Sequence, residues 1–114
     1  MADMQKLGVV KRLFPLILSG EKRSTIRWRE VEISSGYMRY INESTPSESV
    51  VVWVTQCTDM PLSKAAAFLG KESEWTDTIM LDGMREHYPK IKLSDIVQVI
   101  EHLSPDQTCQ KMEN

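Results

Sequence analysis

Cysteine is scarce: of 114 residues only Cys57 and Cys109 carry a thiol, the first in an apolar run and the second in a polar stretch near the end. A disulfide framework needs more than this, so a reducing, cytoplasmic location is the expectation. Nowhere do 18 apolar residues run together, and no membrane span is expected. The opening MADMQKLGVVKR has too short an apolar run for a signal peptide. Neither charge dominates: 14 Lys plus Arg stand against 16 Asp plus Glu, for a formal charge of -2 and a pI near 5.7. Non-specific binding to long nucleic acid, driven by total charge, is thereby disfavoured. No C-x-x-C or H-x-x-x-H spacing exists, and His87 and His102 lie far apart, so neither a metal nor another cofactor is expected. Phosphate-cradling glycine loops and the Gly-x-Ser-x-Gly elbow are missing too, which removes nucleoside triphosphate, dinucleotide and serine-hydrolase chemistry.

What is present suits one globular domain. With 41% hydrophobic and 26% charged residues, a chain of this length can bury a core without disulfides or a structural metal. A single domain over residues 1–114 is expected, with its core at about 9–103 and a flexible tail over 104–114. There is no internal repeat. Leu13 with Ile17 and Phe14 with Leu18 have helical spacing before Gly20, and Pro15 fits the first turn, so a short helix starts near Phe14. Residues 24–31 alternate as a strand, 36–41 form a second, and NESTPSES is a surface loop. VVVWVTQC, at 50–57, reads as a strand buried on both faces, with Trp53 in the core. Helices follow over 61–69 and about 76–87, and DIVQVIEHL is the last strand. The order α-β-β-β-α-α-β is not the alternation of a doubly wound sheet and implies an α+β fold, a small mixed sheet or barrel flanked by helices.

The informative stretch is LSGEKRSTIRWRE, at 18–30. Over residues 11–39 there are seven positive and three negative charges, whereas from residue 49 onward there are six and ten. Thr25 and Arg27 are two apart on a strand, so a hydroxyl and a guanidinium share one face. Lys22 has the opposite parity and can join them only from the turn before the strand, or beside a bulge, which Gly20 permits.

Gly20, Lys22, Thr25 and Arg27 form a G-x-K-x-x-T-x-R turn and strand after an apolar helix. In this the chain resembles the ASCH domains of the PUA-like superfamily, and the resemblance extends from about Val9 to Leu103. It implies a small PUA-like mixed β-barrel flanked by helices, and a role in binding RNA or a nucleoside. Some small bacterial members hydrolyse N-acylated cytidine with a lysine and a threonine of this motif and a glutamate from the later helical region. By motif position these are Lys22 and Thr25; Glu74 in KESEW is the best match for the glutamate, with Glu72 a near competitor. The family often has Gly-Asp at the second strand where this chain has Gly36-Tyr37.

A threonine hydroxyl is a poor nucleophile without a base, and a lysine serves as base only where burial or nearby cations lower its pKa. Arg23, Arg27 and Arg29 are close enough in sequence to contribute, and Arg27 can also offer planar donors to a carbonyl oxygen. Lys22 as nucleophile with Glu74 as proton shuttle is the other scheme, and the sequence does not separate the two. Trp28, alternating with Arg27 and Arg29, reads as core, while Trp75 beside Glu74 is either a base-stacking aromatic or simple packing. The leading expectation is a nucleoside amidohydrolase using Lys22, Thr25 and Glu74, with Arg23, Arg27, Arg29 and Trp75 holding substrate. The alternative is a non-catalytic RNA-binding module in which Lys22, Arg23, Arg27, Arg29 and Arg39 contact phosphates.

Overall fold

The computed structural model describes residues 4–113; the first residues of the segment judged against a signal peptide, and the last residue of the tail, lie outside them. The element order is β1 (Gln5–Val9), α1 (Phe14–Ser19), β2 (Ser24–Arg27), β3 (Gly36–Asn42), β4 (Ser49–Pro61), α2 (Leu62–Phe68), α3 (Asp77–Arg85), β5 (Ile96–His102) and α4 (Pro105–Glu113). The strands form one mixed sheet in the order β1-β3-β4-β5-β2, with β1 parallel to β3 and β3 antiparallel to β4. This is the α+β class expected.

By internal contacts the chain divides into two compact units. One holds the residues up to Thr25, Ile33–Cys57 and those from Ile100 onward; the other holds Ile26–Glu32 and Thr58–Val99. Buried side chains sort the same way into two clusters, where length alone suggested one core. The length of β4 accounts for this: Val52 and Val54 enter the first cluster, and Met60, farther along, packs against the second.

In the first unit the register places Tyr40 opposite Leu7 and Met38 opposite Val52, so that alternate residues of three strands share a buried face. Phe14 and Ile17 of α1 join them. Gly20 ends α1 with φ 86°, and a Cβ there would stand 3.1 Å from the Ser104 side chain. Both the left-handed backbone and the close approach require glycine. β1 was not expected: five residues of QKLGV offer only Leu7 and Val9 to the core.

Two expectations need correcting. The strand at 50–57 is not buried on both faces: Val52 and Val54 are buried, whereas Trp53 lies on the other face and is only partly covered. Tyr37 meets its ring edge-on at 4.7 Å, and the Lys111 ammonium lies 4.4 Å from its centroid. The C-terminal stretch is not a frayed tail but the helix α4. Its Thr108 is buried, accepts the Trp53 N–H at 2.9 Å and donates to the Ser104 carbonyl at 2.8 Å. SPDQ reads as polar and loop-like, yet Ser104 Oγ accepts the Gln107 N–H and the Gln107 side chain accepts the Ser104 N–H, a reciprocal cap. Thr108→Val keeps the shape and strands the Trp53 N–H, so it should cost about 1–3 kcal/mol in urea denaturation.

In the second unit, Thr76 caps α3 by accepting the Ile79 N–H, and Tyr88, just beyond its end, turns the chain. Leu62, Ala65 and Ala66 of α2 pack with Met80, Ile91, Val97 and Val99. The N–H groups of Leu62 and Ser63, which have no intrahelical partner, donate to the carbonyls of Asp95 and Leu93.

Candidate functional site

β2 begins at Ser24, so Lys22 lies in the turn before the strand, the position its parity required. Its N–H donates to the Leu16 carbonyl at 2.9 Å, and its Nζ donates to the Ser24 carbonyl at 2.7 Å. The Lys22 Nζ is therefore tied back one peptide unit from Thr25, which is 6% exposed. Arg23 is exposed, and its carbonyl accepts the His102 N–H at 3.0 Å. The turn that carries Lys22 is thus fixed on β5.

Beneath this turn lies a pair the sequence did not reveal. Tyr40 and His102 are both buried, and the tyrosine hydroxyl meets His102 Nε2 at 2.9 Å. His102 Nδ1 lies 2.9 Å from the Leu103 carbonyl, which accepts only, so the proton sits on Nδ1 and Nε2 accepts from Tyr40. Burial pushes the His102 pKa down to about 4; the bond to Leu103 opposes this, and the charges of Lys22 and Arg23 add to it. The imidazole is neutral at pH 7. A lone histidine in the last strand carries no sequence signal for such a pair.

The second unit holds the remaining candidates. Arg27 is mostly buried and pairs with Glu30 at 3.5 Å, and Glu30 also accepts the Tyr88 hydroxyl. Tyr88 packs edge-on to Trp28 at 5.9 Å. The Tyr88 pKa is raised to about 12, first by burial and then by the hydrogen bond and charge of Glu30, against the opposing pull of Arg27 and the Trp28 backbone. A difference titration of wild type and Tyr88→Phe at the phenolate absorbance should place this tyrosine near pH 12, against about 10 for a free one. A midpoint at the free value would contradict the packing described.

The predicted strand at 24–31 stops at Arg27, and Arg29 adopts φ 56° with its guanidinium 4.4 Å from the Trp28 centroid. Trp28 and Trp75 pack partly buried against the second cluster. Glu74 is an exposed side chain, 3.8 Å from Lys71 in a surface ion pair, and Glu72 is exposed as well. Arg39 donates to Ser49 Oγ at 2.8 Å in the first unit. The structure thus ties Lys22 to the strand that carries Thr25 within the first unit, and places Arg27, Arg29, Glu74 and Trp75 in the second. Cys57 and Cys109 are free thiols. Among the described residues no group of His, Cys, Asp or Glu is placed to hold a metal, and no helix is long and apolar enough to cross a membrane.

No protein-family model matches the sequence, and no curated protein matches it. Solved structures do. A point mutant of ZmASCH from Zymomonas mobilis is similar with a TM-score of 0.65 at 9% identity, covering 88% of this chain and 68% of that one. Protein EF3133 of Enterococcus faecalis V583, of the DUF984 family, is similar with a TM-score of 0.62 at 11% identity, covering 90% and 81%. With the strand order, this makes the fold of the chain ASCH-like, an α+β architecture with one mixed five-stranded sheet.

Proposed function

We propose that the chain recognises a modified nucleoside and hydrolyses the amide of an N-acylated cytidine. The observation that carries this reading is the 2.7 Å bond from Lys22 Nζ to the Ser24 carbonyl, which ties the amine to the peptide unit that joins Ser24 to Thr25. In the scheme this favours, Thr25 Oγ1 attacks the acyl carbon while Lys22 takes the hydroxyl proton. The C–N bond then breaks, the exocyclic nitrogen of cytosine leaves with that proton, and water releases the acyl group from Thr25. The balance is one amide and one water consumed, one cytidine and one carboxylic acid formed. The Tyr40–His102 pair adds no charge at neutral pH to the cations above it.

In the other scheme, with Lys22 as nucleophile, Glu74 is the proton shuttle by its place in KESEW. Its side chain is exposed, in a weak surface pair with Lys71. Arg23, Arg27, Arg29 and Trp75 remain the substrate-holding candidates. Incubation of the purified chain with N-acetylcytidine, followed by chromatography, should release cytidine and acetate in equal amounts. Intact substrate beside folded protein would overturn the proposal. Salt-dependent RNA binding, with a log-log slope of several, would then point to the non-catalytic module.

A further inference from the structure

An aromatic corner of the first unit already holds a cation. The antiparallel register sets Tyr37 of β3 directly opposite Trp53 of β4, and the two rings meet at 4.7 Å with their planes 83° apart, two walls at nearly a right angle. Both side chains are only half-buried, and neither the Tyr37 hydroxyl nor the Trp53 indole N–H has a hydrogen-bond partner among the described residues. The Lys111 ammonium lies 4.4 Å from the Trp53 centroid.

The backbone puts it there. The Trp53 N–H donates to Thr108 Oγ1 at 2.9 Å, which pins α4 to β4 through a side chain that is fully buried. Lys111 comes three residues later on the same face of the helix, and so is carried over the ring. Tyr37 stands where the ASCH domains that the chain resembles often have aspartate, so the second wall belongs to this sequence. No residue assigned to hydrolysis or to holding its substrate takes part.

The face of an indole ring attracts any cation, but a primary ammonium is a strongly hydrated point charge, and the exposed Lys111 gives up little of its water to sit there. A quaternary ammonium has no N–H to hydrate. It presents methyl groups that carry the positive charge, and two rings at a right angle touch it on two sides. Such a group is the stronger occupant, and Lys111 competes with it through the high local concentration that its tether provides.

We propose that the Tyr37–Trp53 corner binds a quaternary ammonium group, and that Lys111 of α4 is its competitor in cis. The Trp53 indole N–H cross-peak, identified by its loss in Trp53→Phe, reports binding to the full chain in NMR titrations. The probes are choline and its neutral carbon isostere, in which a tert-butyl group replaces trimethylammonium, with sodium chloride matching the ionic strength. Choline should bind about tenfold more tightly than the isostere. Lys111→Ala leaves the Thr108 anchor intact and should tighten choline binding several-fold, whereas Tyr37→Thr, which suits a strand, should weaken it several-fold. A peptide bearing trimethyl-lysine, beside its unmethylated form, separates the two sources of such a group. Binding tighter than that of choline places it on a protein, no gain over choline places it on a small amine, and both support the proposal. No shift with choline in Lys111→Ala, equal affinity for choline and its isostere, or binding in Lys111→Ala no tighter than in the wild type would each overturn it.

Discussion

Lys22→Ala is expected to lower the rate of cytidine release from N-acetylcytidine by a factor of about 10²–10⁴, the usual worth of a positioned proton-transfer group. The loss should fall on kcat, because removing an amine tied to the Ser24 carbonyl leaves the buried Thr25 strand in place. Thr25→Ala should be at least as severe if the hydroxyl is the nucleophile. The double variant should lose little more than the worse single one, since base and nucleophile act as a unit. Losses that simply add would show two independent contributions and contradict the scheme. Acid-quenched mass spectrometry locates the intermediate: an acetyl ester on Thr25 in the favoured scheme, or an amide on Lys22 in the other. In the other scheme Glu74→Gln, and not Glu72→Gln, should show a large loss in the same assay.

Acidification from about pH 7 to about pH 5 is expected to remove about 2 kcal/mol of stability through His102 alone. The sign follows from the direction of the shift. The unfolded chain protonates this imidazole near 6.5 and the folded chain only near 4, so the unfolded state binds the extra proton first. Stability is therefore full above about 6.5, declines as pH falls through that value, and levels off below about 4. Urea midpoints of wild type and His102→Gln, taken across this range, isolate the contribution from that of the carboxylates: the wild-type curve should fall more steeply. Tyr40→Phe should destabilise the fold by about 1 kcal/mol at pH 7, because the Nε2 acceptor loses its donor. Parallel pH curves for wild type and His102→Gln would contradict a buried, neutral imidazole.

Local periodicity was a good guide where one element met one environment. α1, its Gly20 cap, β3 and the span of α2 follow from spacing and from glycine and proline positions. The turn position of Lys22 followed from parity alone. The reading weakened wherever burial depends on partners distant in sequence. β1 offers two buried residues in five and is recognisable only through its pairing with β3. Trp53 looked like core because its neighbours are valines, yet the strand alternates, and it is Tyr37 and Lys111 that half-cover it. α4 has no apolar stripe to mark it in the sequence, because its helix is held by one buried threonine and a reciprocal cap. In β5, Val97 and Val99 pack in one cluster and Ile100 in the other, a change of parity that no alternation pattern signals. The Tyr40–His102 pair joins residues 62 apart in sequence, so it was invisible to spacing arguments. Arg29 is the converse case. Its charge is legible in the sequence, and the structure adds what charge does not show, a left-handed backbone and a tryptophan beneath it.

The most direct test of the account is a side-by-side time course of N-acetylcytidine with wild type, Lys22→Ala and Thr25→Ala, each shown to be folded by circular dichroism. The account expects steady release of cytidine by the wild type and a loss of about 10²-fold or more in both variants. Comparable release by either variant, or none by the wild type, would contradict it.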